Sequence, residues 1–187
     1  MPDQTKQFSL MSARERQMIF HVHLDDLKRE GKFFILPMMV KSVRIENIGR
    51  IREFSAQFSE GVNIVYGPNG CGKTVLVQTL RAFFLSGMGK LRYGLTRGKN
   101  EGWVSVQPCW PQTEFKYTEA GSTDGAVTPD AKRCALLDEP VYGLTKEDTT
   151  KFLAYVRKRF AQVILTTQNK DRWSLDEVKL VEMNMWR

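Results

Sequence analysis

The fold class this sequence predicts is α/β: a mainly parallel sheet flanked by helices, with an antiparallel element added early. Three observations lead there. Strand-like and helical segments alternate along most of the chain. A β-rich run at 62–66 leads into clustered glycines that open directly onto a helical pattern. A short apolar run at 134–137 ends in two adjacent acids.

The elements follow in order. Ser12, Ala13, Arg14 and Glu15 have the capping-box form, and Met18, Ile19, Val22 and Leu27 continue at a roughly helical period. Gly31 is a natural stop, so 12–30 is read as an amphipathic helix. His21 and His23 lie two apart on it and point different ways, which suits surface or packing roles rather than a metal pair. Residues 33–36 read as a short strand ended by Pro37. Residues 1–38 are accordingly expected to be an N-terminal helical extension, and 39–187 the main domain. Alternation over 40–47, and again over 54–58, predicts two strands. Residues 73–86 read as one helix, with Val77, Leu80 and Phe84 on a shared face, and Gly87 and Gly89 end it. The basic, glycine-rich stretch 87–101 reads as loop. Strands are expected at 103–107 and 113–117, around a Pro-Cys-Trp-Pro turn. Beyond the strand at 134–137, Thr145 caps a helix running to Phe160, and strands follow at 163–166 and 178–183.

At 187 residues and 42% hydrophobic, the chain suits one domain that buries a core without disulfides. Cys71, Cys109 and Cys134 are an odd set with no framework spacing, which predicts reduced thiols in the cytoplasm. The first residues are polar and include acids, unlike a secretory signal, and no apolar run reaches membrane-spanning length, so no membrane partner is expected. The net charge of +7 is local: residues 41–100 hold ten basic and three acidic side chains. Arg81, Lys90, Arg92, Arg97 and Lys99 occur with no acid between Glu60 and Glu101. Such a stretch can attract a nucleic-acid backbone, and a solvated surface beside a phosphate site explains it equally well.

The chemistry is carried by Gly67, Pro68, Asn69, Gly70, Cys71, Gly72, Lys73 and Thr74, which match G-x-x-x-x-G-K-[ST]. Glycines let successive backbone N–H groups turn inward as an anion nest. The helix that follows points its positive end at the same place. Lys73 can reach the outer phosphates of ATP, and the Thr74 hydroxyl can ligate Mg²⁺. The strand before and the helix after are the context a P-loop requires. At the end of the strand over 134–137, Asp138 is placed to hold Mg²⁺ and Glu139 to orient or deprotonate a water. The chain is thus expected to have a P-loop NTPase fold and to bind ATP with Mg²⁺.

With these residues in place, 40–86 resembles the opening of the SMC/RecF-like branch of the ABC ATPase superfamily, its double-strand-break repair members in particular. The matching features are a first strand, Asn47-Ile48-Gly49, and FSEGVNIVYGPNGCGKT. Residues 134–183 resemble that branch's closing lobe through LLDEPVYGL, a helix and QVILTTQN. The resemblance implies a DNA-maintenance ATPase whose heads pair through ATP. It also implies that Gln168 stands where the family carries a switch histidine, able to hydrogen-bond a γ-phosphate but not to carry its charge. Arg50 or Arg52 falls where the family places a phosphate-contacting base, and Gln107 or Gln112 is open as a γ-phosphate-sensing glutamine. The family's signature segment has only a faint echo, at Gly121–Gly125, and the family's Leu-Asp is Leu144-Thr145 here. The interval before Asp138 leaves no room for long coiled-coil arms. These departures predict a minimal head that hydrolyses slowly unless a protein partner or DNA supplies the missing donors. Two other readings stand beside it. One is a nucleotide-gated binding module with little turnover, and the other, ranked last, is a transporter ATPase subunit.

Overall fold

The apolar runs Ile64–Val65, Cys134–Leu137 and Val163–Leu165 lie in segments 61–66, 134–138 and 162–167 that are buried almost throughout, the pattern of strands covered on both faces. The structure is a computed structural model and describes residues 13–87, 91, 93–109, 133–140, 144–173 and 178–184, without the side chains of 13–17 and 172. In chain order it contains helix α1 (Ala13–Arg29) and strands β1 (Phe33–Leu36), β2 (Val40–Ile48), β3 (Ile51–Gln57) and β4 (Gly61–Tyr66). Helix α2 (Lys73–Arg81) runs into a π-helical turn (Ala82–Ser86) and is followed by β5 (Trp103–Pro108) and β6 (Cys134–Asp138). Helix α3 (Lys146–Arg157), β7 (Gln162–Thr167), a 3-10 turn (Lys170–Arg172) and β8 (Val178–Glu182) complete the described chain.

The five-stranded sheet has the order β1-β6-β7-β4-β8, and its last four strands are parallel. β1 pairs antiparallel with β6, so the N-terminal segment supplies one edge of this sheet. The second sheet, β3-β2-β5, is antiparallel throughout. Its strands β2 and β3 form the antiparallel element expected early in the chain.

Two apolar layers follow from alternation along the strands. On one face of the large sheet, Leu136 and Ile164 pack with Val75, Leu76 and Leu80 of α2 and with Val43, Ile45 and Phe54 of the small sheet. On the other face, Ile64, Leu137 and Leu165 pack with Phe20, Leu24 and Leu27 of α1 and Phe152 and Val156 of α3. Each such side chain, fully buried, contributes roughly 1.5–3 kcal/mol. Phe20 and His23 both meet the ring of Phe152, at centroid distances of 5.8 and 5.2 Å, which seats α1 on α3. His21 and His23 are thus packing and surface residues.

Buried polar residues join the layers. The Gln162 side chain accepts from Val40 N at 2.8 Å and donates to Val40 O at 2.8 Å and Ser59 O at 2.9 Å, stitching β7 to the start of the small sheet. Asn63, inside β4, accepts from Ser59 N and donates to Ser59 O, both at 2.9 Å.

Local outcomes differ in detail from expectation. The helix begun at Lys73 changes to π geometry at Ala82 and ends at Gly87, φ 73°. Phe83 and Phe84 meet edge to face in that turn, at 5.1 Å. Helix α3 ends at Arg157 rather than Phe160, and Thr145 caps it by accepting from Asp148 N at 3.2 Å. Ser12 and the strand expected at 113–117 lie outside the described residues.

Candidate functional site

The segment from Gly67 to Gly72 leaves the end of β4 and enters α2 without a side-chain cap or an acid in the helix's first turn. The first-turn N–H groups of α2 therefore have no side-chain cap competing with an anion, while within the turn Gly67 N–H donates to Thr167 O at 3.3 Å and Cys71 N–H to Pro68 O at 3.4 Å. Two glycines are sterically required. A Cβ on Gly67 would lie 2.1 Å from Met183 O, and one on Gly72, φ 111°, would lie 2.6 Å from Ile51 Cγ1. Cys71 is buried in the turn, its Sγ 3.0 Å from where a Gly67 Cβ would be, and so fills the space under the loop.

Lys73 is 6% exposed and folds back over this loop, donating to Gly67 O at 2.8 Å and Pro68 O at 3.1 Å. Its ammonium also lies 3.7 Å from Glu139 Oε1. A cleft of about 340 Å³ opens here, lined by Asn69, Gly70, Lys73, Thr74, Glu139 and Gln168 among others. Arg50, at the β2–β3 turn, lines it too, and a Cβ on Gly70 would come 2.9 Å from its Nη1.

The acids sit at the end of β6. Asp138 is 6% exposed, is not among the residues lining the cleft, and its N–H donates to Lys32 O at 2.8 Å. Glu139 takes a left-handed backbone, φ 49°, which turns the chain sharply after the strand. Burial pushes its carboxyl above the usual carboxylate range, the Lys73 charge pulls it back, and the Asp138 charge adds to the rise. The backbone of Gln168 hydrogen-bonds the same carboxyl group.

Most of the residues expected at the site are therefore brought together. Gly67, Pro68 and Cys71 shape the loop without lining the cleft. Gln107 is elsewhere, on β5, where it accepts from the Ser42 hydroxyl at 3.3 Å. Gln112, Lys90, Arg92 and Gly121–Gly125 lie outside the described residues, whereas Arg97 and Lys99 are exposed. Two contributors went unread in the sequence. Tyr93 lines the cleft, with its segment pinned by Gly49 N to Gly94 O at 2.8 Å and Thr96 N to Asn47 O at 2.9 Å. Thr166 on β7 meets both acids, donating to Asp138 Oδ1 at 2.6 Å and accepting from Glu139 N at 3.1 Å.

The residues fit ATP with Mg²⁺. The nest and uncapped helix end suit a polyphosphate, and a buried ammonium held, among the described residues, by two neutral carbonyls and one carboxylate can re-aim toward it. No cluster of three His, Cys, Asp or Glu side chains able to hold a metal occurs among the described residues. Mg²⁺ needs none, since one or two carboxylates plus phosphate oxygens and waters suffice.

The chain has partial matches among known proteins. Residues 42–109 match a family described as an AAA domain. The DNA double-strand break repair Rad50 ATPase of Methanopyrus kandleri is 30% identical over 80 residues, covering 42% of this chain and 9% of that protein. The resemblance to SMC/RecF-like ABC-type P-loop ATPases holds. The Septu protein PtuA of Bacillus thuringiensis is 36% identical over 50 residues, 27% of this chain and 13% of that protein. The chain thus spans a small fraction of the length of these relatives. The structure of the recombination mediator protein RecF with ATP in the RecFOR pathway aligns at 22% identity over 40% of this chain and 20% of that one, with a TM-score of 0.29. No described helix is long and apolar enough to cross a membrane.

Proposed function

We propose that this chain is the ATP-binding head of an SMC/RecF-like ATPase and that it hydrolyses ATP slowly by itself. The observation that carries the reading is the convergence of Lys73, Glu139 and Gln168 on one cleft built over the glycine turn. In this reading residues 39–187 form the ATPase domain, and 1–38 form an extension contributing α1 and β1.

The turn's N–H groups and the first turn of α2 bind the phosphates. Lys73 exchanges its carbonyl partners for β- and γ-phosphate oxygens. The Thr74 hydroxyl and Asp138 would hold Mg²⁺, which would neutralise charge on the phosphate oxygens. Glu139 orients a water and accepts its proton as the carboxylate, which burial makes a stronger base than an exposed one. The Gln168 amide donates to the γ-phosphate.

DNA maintenance in the cytoplasm is the proposed setting. The relative named for double-strand break repair, the exposed Arg97 and Lys99, and an odd number of cysteines without framework spacing support it. The sequence's lack of a signature segment favours a second reading, a nucleotide-gated module with little turnover. Steady-state hydrolysis with and without DNA or a candidate partner protein separates the two. A low basal rate that rises on addition and vanishes in Glu139→Gln is expected. Hydrolysis unchanged by Glu139→Gln contradicts the assignment of the base.

A further inference from the structure

Thr166 is fully buried in the middle of a parallel sheet, in register with Val65 of β4 on one side and Asp138 of β6 on the other. A buried threonine is satisfied by any nearby carbonyl. This one instead donates its single proton to Asp138 Oδ1 at 2.6 Å and accepts the Glu139 N–H at 3.1 Å. A hydroxyl has one proton, so donating to the carboxylate leaves its lone pairs for the amide, and each bond polarises the other.

We infer that Thr166 is the positioning residue of this site, a hydroxyl clamp that sets the Asp138 carboxylate and the Glu139 backbone together. The inference rests on the metal and base roles proposed above. With Oδ1 committed to Thr166, Oδ2 is the Asp138 oxygen left for a magnesium ion or its water. With its N–H held, Glu139 keeps the left-handed backbone, φ 49°, that a non-glycine residue adopts only when its surroundings impose it. The hydroxyl is fully buried and Thr166 is not among the residues lining the cleft. It acts through the two acids, as outer-shell partners of metal ligands do.

The test compares Thr166→Val, which keeps the volume and deletes the hydroxyl, with Thr166→Ser, which keeps the hydroxyl. Three quantities are read: the Mg²⁺ dependence of ATP affinity by titration calorimetry, turnover, and amide exchange of residues 134–140 in the nucleotide-free protein. Thr166→Val is expected to weaken the Mg²⁺-dependent gain in affinity about 10-fold or more and to lower turnover by a similar factor. ATP binding without metal should be retained, and exchange around Glu139 should be faster. Thr166→Ser should restore all three. If Thr166→Val does not fold, Thr166→Ser against Thr166→Ala makes the same comparison. Wild-type Mg²⁺ dependence and exchange in the hydroxyl-free variant, where Asp138→Asn is impaired, overturn the clamp alone. Insensitivity of Asp138→Asn as well overturns the metal role on which it rests.

Discussion

The Lys73 ammonium and the Glu139 carboxylate face each other at 3.7 Å across the floor of the cleft. One belongs to the glycine turn and the other to the end of β6, so their contact joins the two halves of the site. Lys73 is nearly inaccessible and Glu139 partly open, 6% against 32% by side chain.

This pairing has a pH consequence. The Glu139 carboxyl is raised chiefly by burial, against the pull of Lys73. A raised acid favours the folded state at low pH, and that contribution is lost as pH rises through the folded-state value. Glu139→Gln stays neutral throughout. Its melting temperature relative to wild type should therefore climb as pH rises from below the ordinary carboxylate value of 4.5 toward neutrality. Wild-type turnover should rise over the same window. Parallel melting curves that keep a constant offset would remove the buried-carboxyl account.

Asp138→Asn keeps the shape of the side chain and removes its charge. ATP affinity should become nearly independent of Mg²⁺, with a loss of about 10-fold or more at saturating metal, while the fold is retained. Calorimetry across a magnesium series reads this directly. An unchanged series would place the metal ligand elsewhere.

Gln162→Leu tests the stitch between the sheets. It leaves Val40 N–H and two carbonyls without their buried partner. Each such orphaned group costs about 1–3 kcal/mol, so a loss of about 3 kcal/mol is expected in urea unfolding. A change below about 1 kcal/mol would mean that another group takes over those bonds.

DNA binding, if carried by the basic stretch, should weaken steeply with salt through counterion release. Charge reversal at Arg97 and Lys99, extended to Lys90 and Arg92, should flatten that slope in fluorescence anisotropy. No binding at low salt in the presence of ATP would remove DNA from the proposed function.

The parts of this architecture that were legible are those written locally. A β-rich run, glycines at fixed offsets and a helical period place the turn between β4 and α2 without further information. The acids after residues 134–137 declare the end of β6 in the same way. Partners in space are not local. Residues 33–36 read as a strand, but nothing in them says that they pair antiparallel with β6. Thr166 looks like one more β-branched residue in an apolar strand, and only the register of β6 with β7 sets it beside Asp138. The helix over 73–86 keeps its apolar period through Phe84, so the period does not reveal the switch to π geometry at Ala82.

The central claim, that the glycine turn is an ATP site completed by Lys73, is tested most directly by titration calorimetry of ATP with Mg²⁺ on wild type and Lys73→Ala, with melting temperatures in parallel. The account predicts binding by wild type and a loss of about 100-fold or more in the variant, corresponding to about 3 kcal/mol, with the fold retained. Equal affinities in two folded proteins would contradict it.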